Sequence, residues 1–186
     1  MLLYLGRHDS YKESCRLGVD FHNVLQLTKR IQQLTNRIQQ RTAARPGLGV
    51  DFHNVLHVRC KEGKGWEIPQ PYFDALLELQ RKFEVHIITF CGWQNYARRY
   101  QELADTGLIG VVDEDKIHFV FSRCGSGGKL EKCKALHVSY FIDDSADILE
   151  ELREGGVTVF PINSTRETYP DGYDSFLDAV ELLMYV

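Results

Sequence analysis

Residues 48–56 read LGVDFHNVL, and the organisation of the whole chain turns on how they are understood. LGVDF (48–52) has the apolar run of a short strand and carries a carboxylate, Asp51, at its end, with His53 just beyond. Downstream the pattern alternates. PQPYFDALLELQRKF (69–83) spaces Phe73, Leu76, Leu77 and Leu79 as a helix does, and EVHIITF (84–90) is β-branched and strand-like. WQNYARRYQELADTG (93–107) is helical, with Gly107 as its stop. KIHFVFSR (116–123), YFIDD (140–144) and VTVFPI (157–162) read as further strands. KLEKCKALH (129–137), SADILEELREGG (145–156) and YDSFLDAVELLMYV (173–186) read as helices. Strands alternating with helices predict βαβ units. The expected fold class is α/β, a three-layer Rossmann-like parallel sheet with helices on both faces.

Upstream, the same nine residues stand at 17–25, an exact duplication rather than a chance match. The two copies lead into different sequences, so they do not make a repeat protein. Between them LTKRIQQ (27–33) is succeeded by LTNRIQQ (34–40), and Leu27, Ile31, Leu34 and Ile38 take heptad spacing. Residues 26–42 are expected to form one amphipathic helix, through which a homodimer could form. Ala43-Ala44-Arg45-Pro46-Gly47 breaks it. The expected division is therefore a basic extension over 1–47, with the duplicated motif and the helix, and a catalytic domain over 48–186. The first copy, with Asp20 and His22, is expected to be an inert remnant, since 48–52 takes the sheet position and only that copy has the strand–helix continuation.

At 186 residues, 44% hydrophobic and 26% charged, the chain suits one globular domain with an appendage. Its net charge of −4 divides unevenly: residues 1–48 hold eight Lys/Arg against three Asp/Glu, and the remainder holds the acidic excess. The basic arm reads as a solvated tail or as a contact surface for acidic matter. No apolar run approaches the ~18 residues of a membrane span, and MLLYLGRHDS is too short for a signal-peptide core. Five cysteines without a CxxC pair read as reduced thiols, which makes a cytoplasmic location the expectation.

In open parallel sheets, ligands bind beyond the carboxyl ends of the strands. There this chain offers Asp51, Thr89, Asp143 and Asp144, while Gly-Ser-Gly-Gly (125–128) delivers Lys129 to the start of a helix. Lys132 and Lys134 are rivals, and Lys129 is preferred because it comes directly after the glycines. Three close carboxylates repel unless a proton or cation intervenes, and hard oxygen ligands select Mg²⁺. A Mg²⁺ beside a lysine, a hydroxyl and a helix N-terminus suits a phosphate dianion. With a carboxylate in attacking position, the reaction class is phosphoryl transfer through an aspartyl-phosphate.

The ordered set Asp51-Phe52-His53-Asn54-Val55-Leu56, Thr89, Lys129 and Phe141-Ile142-Asp143-Asp144 resembles the haloacid dehalogenase (HAD) superfamily of phosphohydrolases over about residues 48–186. The resemblance implies a nucleophilic Asp51 and phosphate contacts from Thr89 and Lys129. It implies Mg²⁺ ligation by Asp51, the backbone carbonyl of His53, and Asp143 or Asp144. The departure is His53, where phosphatases of the family usually have a second Asp that protonates the leaving oxygen and later activates water. A cationic imidazole beside Mg²⁺ is disfavoured, and acid–base help is worth about 10²–10⁴-fold. Residues 57–68 leave room for only a small flap, and the stretch from Thr89 to Lys129 is filled by a helix and a strand, so a capless type is implied. The expectation is a Mg²⁺-dependent phosphomonoesterase using Asp51 and His53, slow or specialised, on a phosphorylated substrate that can be macromolecular. Membranes and nucleic acid are not expected partners. The alternative is a catalytically impaired HAD-like binding or scaffold protein.

Overall fold

The computed structural model describes residues 45–60, 65–164 and 167–186. The first copy at 17–25, the expected helix over 26–42 and Cys15 lie outside the described residues. Residues 45–186 form one compact unit. In chain order the elements are β1 (Gly47–Val50), β2 (Val58–Arg59), β3 (Trp66–Glu67), α1 (Gln70–Lys82), β4 (Glu84–Phe90), α2 (Tyr96–Asp105) and β5 (Ile117–Val120). They continue with α3 (Lys129–Ala135), β6 (Val138–Asp143), α4 (Ala146–Glu154), β7 (Thr158–Pro161) and α5 (Phe176–Leu183). Single 3₁₀ turns stand at Trp93–Asn95, Leu108–Gly110 and Glu114–Lys116.

Five strands pair in parallel in the order β5-β4-β1-β6-β7, and β2 and β3 make a separate antiparallel hairpin. The chain leaves β1 toward β4 and β5, then returns to β6 on the other side of β1. That reversal puts the crossover helices on opposite faces, as right-handed connections require. Leu48 and Val50 of β1 face one core with Leu76 and Leu79 of α1, Leu103 of α2, and Phe176 and Leu183 of α5. On the other face, Ile88 and Phe141 pack with Cys133 of α3 and with Ile148 and Leu152 of α4. The α/β three-layer Rossmann-like architecture read in the sequence is the one observed.

The central strand is short because its role is positional. All four of its residues are buried between β4 and β6. A Cβ on Gly49 would lie 2.3 Å from the Phe141 ring, so only glycine lets β6 lie this close with that ring between the strands and α3. The expected helix over 93–107 begins instead with a 3₁₀ turn. There Trp93 stacks on Phe121, with centroids 3.6 Å apart and planes 6° apart, and remains largely exposed. Gly107 adopts φ +78°, the left-handed conformation that ends α2 without a Cβ penalty. Among the described residues no helix is long and apolar enough to cross a membrane.

Candidate active site

The strand order reverses between β1 and β6, and beyond the carboxyl ends of strands at such a point doubly wound sheets bind ligands. Asp51 comes directly after β1, and its N–H donates to Ile142 O at 3.0 Å, which holds it against β6. Its side chain, nearly buried, lies beside the fully buried Asp143 at the end of β6 and the buried Asp144. One oxygen from each of the three carboxylates falls within 4.8 Å of the others. Lys129, the first residue of α3, reaches into the group although only 1% of it is exposed. Its Nζ lies 2.7 Å from Asp51 Oδ1 and 2.7 Å from Asp143 Oδ2. Lys132 belongs to a different groove, beside Trp93 and His118.

Three carboxylates against one ammonium leave the group two negative charges in excess if all are ionised. Burial, reinforced by the Asp51 charge, pushes the Asp143 and Asp144 carboxyls upward from the usual range, while Lys129, and for Asp144 the Asn54 amide, pull them down. Burial works against the Lys129 ammonium, but Asp143 and Asp51 outweigh it and raise its pKa. Asp51 Oδ1 is buried and meets the Lys129 ammonium. Clustered hard oxygens and excess negative charge are a donor set that could hold a metal ion.

The loop after Asp51 is built to aim side chains. Leu56 and His57 donate their N–H groups to Phe52 O, Asn54 N–H donates to His57 O, and Asn54 takes φ +61°, which asparagine tolerates. None of these backbone bonds falls on the His53 carbonyl. The Asn54 amide donates to Asp144 Oδ2 at 2.8 Å, and Ser145 N–H donates to Asp143 Oδ1 at 3.0 Å. The tight turn lets His57 stack on Phe52 at 4.8 Å between centroids.

The cluster opens into a cleft of about 440 Å³. Asp51, His53, Thr89, Lys129 and Asp144 line it, and Asp143 lies buried behind them, so all six residues singled out in the sequence meet at one place. Thr89 arrives at the end of β4. His53 is turned toward α2, where its Nε2 accepts from Arg99 and lies 3.5 Å from Glu102 Oε2. Burial, with further lowering from Arg99 and His57, brings the His53 pKa down to about 4 against the raising effects of Asp51 and Glu102. The imidazole is neutral at pH 7.

Sequence reasoning missed Arg98, Arg99 and Glu102 on α2, Arg123 after β5, and Glu167. Arg98-Arg99 one turn before Glu102, on the helix after the Thr89 strand, was a readable signal. Tyr169 had none: from a loop after β7 its hydroxyl lies 2.8 Å from Asp144 O and 2.5 Å from Glu167 Oε2. Trp66 lines the cleft from the β2–β3 hairpin, which occupies the stretch expected to hold a small flap.

No family model and no curated protein matches the chain. Among solved structures, an uncharacterized protein from Corynebacterium glutamicum ATCC 13032 Kitasato, determined at 1.44 Å, is similar at 21% identity over 76% of this chain and 94% of that one, with a TM-score of 0.43.

Proposed function

We propose that the chain is a Mg²⁺-dependent phosphomonoester hydrolase of the HAD type, working through an aspartyl-phosphate on Asp51. The observation that carries this reading is the buried Asp51–Lys129–Asp143–Asp144 group at the switch point of the sheet, open to a cleft on one side. Asp51, the carbonyl of His53, Asp143 and Asp144 would hold Mg²⁺, which when bound neutralises charge on the phosphoryl oxygens. An Asp51 carboxylate oxygen attacks phosphorus, the bond from phosphorus to the leaving oxygen breaks, and the leaving group keeps the electron pair. Water then attacks the aspartyl-phosphate, releasing phosphate and restoring the carboxylate. Lys129, 2.7 Å from Asp51 Oδ1, orients that carboxylate and meets the incoming phosphate charge, with Thr89 at its side. The neutral imidazole of His53 is a weak acid here, which supports a slow or specialised enzyme.

The test is hydrolysis of p-nitrophenyl phosphate by the full chain with and without Mg²⁺. Turnover should require Mg²⁺ and fall at least 10³-fold in Asp51→Asn, a loss on the order of that seen for removed nucleophiles. The occupied Nε2 of His53 favours one second reading, a HAD-like binding or scaffold protein. Mg²⁺ binding by the wild type without any turnover selects it.

A further inference from the structure

We propose, resting on the aspartyl-phosphate chemistry above, that phosphoanhydrides are preferred over simple monoesters, their leaving group departing as an anion onto Arg98 and Arg99. Both arginines stand in the first turn of α2 and line the cleft with Asp51 and Lys129. They share one carboxylate: Arg99 Nη1 lies 2.6 Å from Glu102 Oε2, and Arg98 Nε lies 3.8 Å from Oε1. One guanidinium charge is therefore in surplus at the cleft wall. The third arginine of the cleft, Arg123, is forked onto Asp147 at 2.7 and 3.0 Å and has no such surplus.

The two histidines of the cleft are engaged elsewhere on at least one ring atom. The His53 Nε2 is taken up by Arg99 and Glu102 on α2. His57 lies flat on Phe52 with Nδ1 buried. Guanidinium groups do not release a proton at neutral pH. Arg98 and Arg99 give a leaving oxygen in this cleft fixed positive charge. An alkoxide needs a proton to leave, whereas a phosphate does not. Forked guanidinium donors also match the geometry of phosphate oxygens.

In the first step an Asp51 oxygen bonds to the terminal phosphorus, and the bond from that phosphorus to the bridging oxygen breaks. Its electron pair stays on the bridging oxygen, which becomes part of the departing phosphate. In the second step water cleaves the aspartyl-phosphate to inorganic phosphate, and one proton passes to solvent.

The experiment measures kcat/KM of the full chain at fixed free Mg²⁺ on ADP, on p-nitrophenyl phosphate and on glycerol 2-phosphate. ADP should exceed glycerol 2-phosphate at least 100-fold. In Arg98→Ala, the ratio of ADP to p-nitrophenyl phosphate should fall at least tenfold, and Arg98→Lys should fall between. Arg98 is 64% exposed, so neither variant threatens the fold. Equal rates on ADP and glycerol 2-phosphate, or a ratio unmoved by Arg98→Ala, overturn this inference and leave the phosphatase standing. No Mg²⁺-dependent turnover of any of the three compounds overturns both.

Discussion

Lys129 is held on two sides. Its ammonium is buried at the start of a helix, where only Asp51 and Asp143 justify the cost of leaving water. The reverse also holds, since the carboxylates outnumber it. Asp143 and Asp144 have folded-state pKa values raised above their unfolded ones by burial and by Asp51. The metal-free fold is therefore penalised progressively as pH rises from the unfolded carboxyl pKa of about 4 through the raised values. Bound Mg²⁺ cancels that penalty and competes with the protons. The rise in Tm on adding Mg²⁺ should thus be larger at pH 8 than at pH 5, by differential scanning calorimetry of the full chain. An equal rise at both values argues against these carboxylates as the ligands. At this scale much was legible. Asp51, Thr89, Lys129, Asp143 and Asp144 each stand at a strand end or helix start, so spacing alone brought them to one rim. The contact between Arg99 and His53 was not legible, because 46 residues separate the pair and only the packing of α2 brings them together.

Among elements, β1 and its neighbour β6 set the geometry of the site. Phe141 on β6 fills the space over Gly49 on one side, and Lys129 Nζ lies 5.3 Å from the centre of its ring on the other. Gly49 is thus a spacer for the Phe141 ring against which Lys129 lies. In Gly49→Ala the new methyl meets Phe141 ring atoms at 2.3 Å, and the ring against which Lys129 lies must shift. The variant should lose about 1–3 kcal/mol by urea denaturation, as overpacked cores do. Its Mg²⁺-dependent turnover should fall with the disturbed lysine. A substitution as stable as wild type would show that β6 can retreat. β4 was legible to the residue over 84–90, because its β-branched run is buried throughout its middle. The start of the next helix was not, since the stack of Trp93 on Phe121 joins residues 28 positions apart.

For the whole molecule, the sheet order leaves one slot between β4 and β6, and residues 47–50 fill it. Of the two copies of LGVDFHNVL, the second holds this place. The second copy leads directly into the hairpin, α1 and β4 that complete the sheet on that side. Asp51→Asn should therefore abolish p-nitrophenyl phosphate turnover, while Asp20→Asn should stay within twofold of wild type in the same assay. Loss in Asp20→Asn would mean that the first copy supplies the nucleophile. The sequence by itself determined the α/β alternation, the parallel sheet and the strand-end residues, because hydrophobic period and punctuation are local properties of the chain. Only the tertiary structure decided the burial of Lys129 between two carboxylates, the turning of His53 onto Arg99, and the surplus guanidinium at the cleft. Those depend on which elements the sheet order makes neighbours, and on the low dielectric and limited space that burial imposes once they meet.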